Sequence, residues 1–187
     1  MFLIYSQQDR YRRRKNDSIS KSNSSPGPWK TTSYINITEE VRKAIEESGV
    51  QTGICAVISP HTTCSVFFEE YAHDRDENGD ESLQHDLNVG LAKIFPDHEN
   101  ADTYMYPGPE HYAAVESWPN AKDYLPNGPE DLWNGDAHLR STLLGSSETF
   151  DVNEGKLGVG TTGYIYFADF DRTRGRTRRC VITVLGE

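Results

Sequence analysis

The stretch SPHTTCSVFFEE, from Ser59 to Glu70, joins the pattern of a β-strand to residues that can carry chemistry. Residues 63–68 alternate as the two faces of a strand do, so most of the stretch is predicted to be structural. Pro60 should end the preceding strand, because proline has no backbone N–H to donate to a neighbour. His61 follows this break and two carboxylates close the stretch, so chemistry is expected at its ends.

Outward from this stretch, residue periodicity predicts the other elements. An amphipathic helix is expected over residues 38–49, with Thr38 as its N-cap and Gly49 at its C-terminal end. The clearest helix pattern spans residues 80–96, with Asp80 as its cap and Pro96 as its terminator. The remaining predictions are a short helix over residues 137–145 and strands over residues 31–38, 52–59, 148–152, 156–160, 162–171 and 178–187.

This order of elements favours an α+β fold. We expect a compact single domain built on antiparallel β-strands, with two main helices and a short third helix. Residues 96–136 are rich in Pro, Gly, Asn and Asp and show no clear periodicity. So long an irregular segment inside a compact domain is usually functional.

The first thirty residues differ in composition from the rest. They hold 7 Lys/Arg and 2 Asp/Glu of the chain's 19 and 29, which leaves 12 and 27, a net charge of −15, for residues 31–187. An arginine cluster, a Ser/Asn tract and a Pro-Gly-Pro stop predict a flexible basic extension over residues 1–30, followed by a domain over residues 31–187. A transit peptide, a basic tail or an upstream start codon could each explain the extension.

Charge, hydropathy and cysteine content limit the function classes. The mean hydropathy is −0.70, and no apolar run approaches the ~18 residues that cross a bilayer, so no membrane role is expected. An acidic domain repels phosphate backbones, so nucleic-acid binding would have to depend on residues 10–15 and is not favoured. Cys55, Cys64 and Cys180 form no CxxC motif and indicate free thiols in a reducing compartment, hence a cytoplasmic location.

Two motif matches are incomplete. GVGTTG, over residues 158–163, fits G-x-G-x-x-G, but a strand rather than a helix follows it. DRDENGDESLQH begins like a calcium loop with Asp74, Asp76 and Asp80, yet His85 stands where a bidentate glutamate belongs. An acidic turn before a helix is therefore favoured, and calcium or magnesium binding is kept as the alternative.

The other candidate functional residues are histidines and arginines. His111 and His138 lie in loop contexts beside carboxylates that could orient an imidazole. The run DRTRGRTRR carries five arginines, and an extended backbone would put Arg176 and Arg178 on one face. Two guanidinium forks on one face suit a phosphate or diphosphate, whereas a charged, solvated strand edge is the structural alternative.

With these residues in view, the chain from about Thr31 to Glu187 resembles the YjbQ-like family, whose members are described as secondary thiamine-phosphate synthases. The resemblance lies in the motifs HTTCSVFFEE, HDL, GDAHLRSTLLGSS, GKLGVGT and RTRRCVITVLGE, which occur in the family's order. It implies a homotrimer in which histidines from separate segments gather at a metal site. The expected activity joins a pyrimidine diphosphate to a thiazole phosphate with release of pyrophosphate.

The resemblance also implies roles for individual residues. A divalent cation, zinc or a similar metal, would be held by His61, His111 and His138, with His73 or His85 as substitutes for one of them. The catalytic carboxylates would be Glu70 and Asp136, and the phosphate groups of the substrate would bind Arg176 and Arg178. A non-enzymatic metal- or small-metabolite-binding protein, with incidental synthase activity, is the alternative.

The chain departs from the family pattern beside this site. The family has Asn-Glu-Asn where residues 69–71 are Glu-Glu-Tyr, and Thr-Trp-Gln where residues 161–163 are Thr-Thr-Gly. In addition, a regular strand would separate His61 from Glu70 by ~30 Å. These two residues can therefore share one site only across subunits or through a bend.

Overall fold

The computed structural model describes residues 3–12, 32–77 and 79–187. Eight strands are present in these ranges: β1 Leu3–Arg12, β2 Ser33–Asn36, β3 Thr52–Ile58, β4 Cys64–Glu70, β5 Ser147–Asn153, β6 Lys156–Leu157, β7 Gly163–Asp169 and β8 Thr177–Gly186. The helices are α1 Thr38–Ser48, α2 Ser82–Ile94, α3 Pro109–Glu116, α4 Ala121–Tyr124 and α5 Gly135–Leu144, with a 3₁₀ turn at Pro129–Leu132.

The strands form two antiparallel sheets. One sheet has the order β1-β8-β3-β5-β6 and the other has the order β2-β7-β4. The main core joins the inner faces of both sheets to α1, with Val41 and Ile45 from the helix fully covered. A second cluster covers the other face of the smaller sheet with residues of α2 and α5. The α+β fold class predicted from the sequence is confirmed.

Burial on two sides explains the composition of β7. Tyr166, Phe167 and Ala168 are all buried because neighbouring side chains of this strand enter the two different apolar clusters. A strand covered on both faces has no polar side, and therefore appears in the sequence as a continuous apolar run.

Several predicted boundaries need correction. Glu81, not Asp80, is the N-cap of α2, and the Gln84 side chain accepts its backbone N–H at 3.2 Å. Thr38 is the first residue of α1 rather than its cap, and Asn36 Oδ1 accepts its N–H at 3.1 Å. The segment 96–136 holds two α-helices and a 3₁₀ turn that lacked any clear sequence pattern.

The predicted N-terminal extension is described only in part. Leu3–Arg12 is a strand that pairs antiparallel with β8 from Leu3 opposite Gly186 to Arg12 opposite Thr177, and the flexibility of residues 1–30 stays a prediction. The rest of the predicted extension lies outside the described residues, as does the domain boundary placed at residue 31. Among the helices that are described, none has the length and apolar character needed to cross a membrane.

Candidate functional site

The arginine–histidine cavity, of about 540 Å³, lies where the turn before β4 meets the loop between β7 and β8. Pro60 ends β3 and turns the chain, which brings His61 to the cavity wall, and the first half of α5 contributes His138. The β7–β8 loop supplies the basic side. The cavity is lined by Pro60, His61, Thr62, Thr63, Asn120, Asp123, Tyr124, His138, Arg174, Gly175, Arg176, Thr177 and Arg178.

His61 is held in one tautomer. Its Nε2 accepts the backbone N–H of Arg179 at 3.0 Å, which leaves the ring proton on Nδ1. Burial lowers the pKa of His61, and the positive charge of Arg178 lowers it further, against an opposing effect of Asp169. His61 is therefore a neutral ring whose Nε2 lone pair is already occupied.

His138 is also held neutral. Burial is the largest cause of its lowered pKa, and Asp171 opposes this effect. The ring of Tyr106 lies between His138, at 5.3 Å between centroids, and His111, at 5.1 Å. The hydroxyl of Tyr106 is 3.4 Å from His111 Nε2. His111 contacts Tyr106 but is not among the residues that line the cavity with His61 and His138.

Arg178 is committed to a buried ion pair. Its Nε and Nη2 donate to the two carboxylate oxygens of Asp169 at 2.9 Å each, and Nη2 also donates to Thr63 Oγ1 at 2.9 Å. The residue is 7% exposed. Arg178 borders the cavity as predicted, but its Nε and Nη2 already hold a carboxylate, so its phosphate-binding role stays a prediction.

Arg176 and Arg174 have unused donors. Arg176 Nη2 lies 2.7 Å from Asp171 Oδ2, while its buried Nε makes no hydrogen bond with the residues that the structure describes. The buried Nη1 of Arg174 is likewise unpaired within the described part of the chain. Burial lowers the pKa of Arg174 and the charge of Arg176 lowers it further, against opposing effects of Asp171, Asp131 and Tyr124. Within the described ranges no carboxylate forms an ion pair with Arg174, so its positive charge is poorly compensated.

Sequence reasoning missed three residues at this site. Arg174 belongs to the same arginine run as Arg176, but the sequence prediction names only Arg176 and Arg178 for phosphate binding. Tyr124, whose ring centroid lies 5.1 Å from Arg174 Cζ, and Tyr106 come from the aperiodic segment before α5. No sequence signal marked either tyrosine, since their positions depend on the path of that segment.

The two predicted catalytic carboxylates lie elsewhere in the single chain. Glu70 is exposed at the far end of β4, where it pairs with Gly163. Asp136 is 2% exposed and forms ion pairs with Arg172 and, at 3.6 Å, with Arg140. It borders a different cavity, so the structure does not bring Glu70 or Asp136 together with His61.

The described residues of a single chain do not form a complete ligand set for the predicted metal ion. In the described ranges of this one chain, no group of three or more His, Cys, Asp or Glu side chains is arranged to hold a metal ion. In the calcium-like turn, Asp76 accepts the N–H of Asp80 with one oxygen and contacts His85 Nδ1 at 3.1 Å with the other. The described donors of a single chain therefore do not fit a metal site, and the cation stays a prediction.

Comparison with known proteins gives consistent matches. The profile described as UPF0047 protein YjbQ-like matches residues 28–187. A UPF0047 protein of Methanocaldococcus jannaschii is 30% identical over 79% of this chain and 82% of its own length, and UPF0047 protein YugU of Bacillus subtilis is 27% identical over 84% and 92%. The share of each relative that is covered indicates similarity over nearly the whole domain.

Solved structures give the same fold. A YbjQ-like protein of unknown function from Sulfolobus solfataricus has a TM-score of 0.65 at 22% identity, covering 100% of both chains. A yjbq/upf0047 family protein from Clostridium acetobutylicum has a TM-score of 0.57 at 27% identity, covering 97% of this chain and 98% of that one. The first likeness concerns the fold alone.

Proposed function

Since the chain belongs to the UPF0047 family of YjbQ-like proteins, we propose that its arginine–histidine cavity binds the phosphate or diphosphate group of a small metabolite. The observation that carries this proposal is the pair of unused donors, Arg174 Nη1 and Arg176 Nε, on residues that line the cavity. A buried donor without a partner is costly, and guanidinium groups match phosphate oxygens in charge and geometry. An anion would satisfy both groups.

The charge distribution supports an anionic ligand. The chain carries a net charge of −10, yet three arginines border this one cavity. Asp169 and Asp171 offset Arg178 and Arg176, so the poorly compensated charge is concentrated at Arg174. A local excess of positive charge in an acidic protein favours a small anion over an extended polyanion such as nucleic acid.

The specific reaction that we propose is a thiamine-phosphate synthase-type transfer, in which a pyrimidine diphosphate and a thiazole phosphate are joined and pyrophosphate is released. Both substrates carry phosphate, which suits this cavity. The neutral ring of His138 can accept a proton at neutral pH. Catalytic roles for Glu70 and Asp136 stay predictions, because neither carboxylate reaches the cavity within one chain.

A binding protein with incidental synthase activity is the second candidate. It is favoured by the position of the predicted catalytic groups, because the cavity of a single chain includes Asp123 but not Glu70, Asp136 or His111. Product formation from the two phosphorylated precursors would support the transferase. Binding of both precursors without turnover would support the binding protein.

Replacing Arg174 by methionine should weaken pyrophosphate binding at least tenfold. The change removes the poorly compensated charge and one unused donor, and it breaks no ion pair identified in the described part of the chain. Calorimetric titration with pyrophosphate measures the effect. Arg42→Met is the matched control, since Arg42 lies on the exposed side of α1 with Glu39 at 3.4 Å. Equal affinities in all three proteins would contradict the proposed anion site.

The predicted divalent cation requires its own test. Elemental analysis of protein purified without added metal should show bound zinc or a similar metal if His111 and His138 are ligands. Their replacement by alanine should then remove the metal, whereas His85→Ala, at an exposed position beside Asp76, should not. If the metal content is lost only with His85→Ala, the calcium-like turn is the site. If no metal is bound to the native protein, both predictions are wrong.

The homotrimer remains a proposal as well. Its support is an apolar patch on the outer face of the five-stranded sheet, where Ile54 of β3 lies opposite Leu185 of β8. These side chains are 46% and 39% exposed, and Ile58 extends the patch at 37%. A contiguous apolar sheet face of this kind is typical of an interaction surface. A second copy of the chain would cover it in the proposed assembly.

A further inference from the structure

A second cavity, of about 570 Å³, lies away from the arginine–histidine cavity and shares none of its lining residues. Its wall comes largely from the aperiodic segment before α5. His98, Trp133 and Asn134 form one side, and Asp97, Glu99 and Arg172 lie around the others. Its volume is in the range of small-molecule sites. The function proposed above makes no use of it.

His98 lines this cavity and carries a buried ring donor that has no partner in the described ranges. The residue is 7% exposed, and its Nδ1 accepts the backbone N–H of Gly135 at 3.1 Å, which places the ring proton on Nε2. Burial lowers the pKa of His98, while Asp136 and the carbonyl of Asn100 oppose this effect. Although the Asn100 carbonyl is near enough to favour the proton, Nε2 makes no hydrogen bond of normal geometry with any described residue.

Asn134 presents an unused acceptor. The residue is 4% exposed, and its side-chain N–H donates to Asp171 Oδ2 at 2.9 Å. That bond fixes the orientation of the amide, since a carboxylate can only accept. The carbonyl oxygen Oδ1 is buried and lacks a partner in the described ranges. Asn134 precedes Gly135, so the unused acceptor and the unused donor belong to side chains held next to each other.

The same wall offers a flat apolar surface. The ring of Trp133 stacks with that of His98 at an interplanar angle of 22° and a centroid distance of 6.1 Å. Its only polar atom, Nε1, already donates to Tyr112 Oη at 3.0 Å. The indole therefore has no free hydrogen-bond donor, and a ligand can contact it only through its ring.

The charges of the cavity exclude anions. Asp97, Glu99, Glu130 and Asp136 border it, against the single cation Arg172, which is already paired with Asp97 and Asp136. A carboxylate or phosphate would meet this acidic rim without a free guanidinium to bind. A neutral ligand meets no such penalty.

We propose that this second cavity binds a small, neutral, planar molecule that carries a carbonyl oxygen beside an N–H group, as a primary carboxamide does. The carbonyl accepts from His98 Nε2, the N–H donates to Asn134 Oδ1, and the ring attached to the amide lies against Trp133. One such ligand satisfies both buried polar atoms, which a purely apolar ligand would leave unpaired.

Nicotinamide is a suitable probe, because it combines an aromatic ring with a primary carboxamide. A ligand-observed NMR titration of the full-length protein should give saturable binding. Methyl nicotinate keeps the carbonyl but has no N–H for Asn134, and nicotinate is an anion. Both should bind at least tenfold more weakly than nicotinamide.

Three variants locate the binding. Trp133→Leu removes the flat wall and should weaken nicotinamide binding at least tenfold, whereas Trp118→Leu, outside this cavity, should not change it. Arg174→Met should also leave it unchanged, so the two cavities are tested separately. Equal binding of the three probes would overturn the proposal even if Trp133→Leu folds poorly. An ordered water between His98 and Asn134 in nicotinamide-soaked crystals, with no ligand, would overturn it too.

Discussion

Replacing Asp169 by alanine should lower the free energy of unfolding by about 3–5 kcal/mol, the usual cost of leaving one partner of a buried ion pair unpaired. Asp169 is 4% exposed and accepts hydrogen bonds from Nε and Nη2 of Arg178. It also accepts the backbone N–H of Asp171 at 3.1 Å and the thiol of Cys64 at 3.5 Å. The variant loses all these bonds and leaves a buried guanidinium without its carboxylate.

Urea denaturation followed by circular dichroism measures this loss. Glu39→Ala is the control, because its pair with Arg42 is exposed and such pairs contribute little. The double variant Asp169→Ala/Arg178→Met should recover part of the stability, since it removes the uncompensated charge. Similar losses for Asp169→Ala and Glu39→Ala would show that the buried pair does not stabilise the fold.

Replacing Gly53 by alanine should destabilise the protein by about 3 kcal/mol, at the upper end of the usual cost of overpacking. Gly53 of β3 lies opposite Gly186 of β8. A Cβ on Gly53 would overlap the backbone carbonyl oxygen of Leu185 and lie 2.8 Å from Gly186 Cα. These atoms belong to the backbone of a central strand, so the sheet itself would have to shift.

Gly90→Ala provides the matched control for this substitution. Gly90 lies inside α2, and a Cβ added there meets no atom within 4 Å. Alanine is the better helix residue, so this variant should gain about 0.5–1 kcal/mol. Thermal or urea unfolding of the two variants compares them directly. A Gly53→Ala protein as stable as the native one would show that β3 and β8 are not packed as closely as described.

Local chemistry explains which elements could be predicted. The strands β3 and β8 were predicted because their residues alternate between the core and the outer face. The helix α1 was predicted from its apolar spacing and from Gly49, which adopts a φ of 72° at the helix end. By contrast, α3 buries only Val115, so it has no apolar stripe from which it could be predicted.

The candidate site was only partly accessible to sequence reasoning. His61, His138 and the arginine run were identified as chemistry-bearing, and the fold brings both histidines and three of the arginines, Arg174, Arg176 and Arg178, to one cavity. The sequence does not show which of these side chains is paired and which has an unused donor, because that depends on contacts between distant residues. Arg178 is paired with Asp169, and Arg174 has an unused donor, although both belong to the same run of arginines.

The sequence alone therefore determined the α+β class, the main strands and helices, and the residue types available for anion binding, because periodicity and backbone propensity act over a few neighbouring positions. Only the tertiary structure decided which guanidinium group is neutralised, which histidines meet, and which polar atoms stay buried without a partner. Those outcomes depend on contacts between residues far apart in the sequence, such as the His61 ring and the backbone N–H of Arg179, 118 positions away. No local sequence pattern predicts contacts between residues so far apart in the chain.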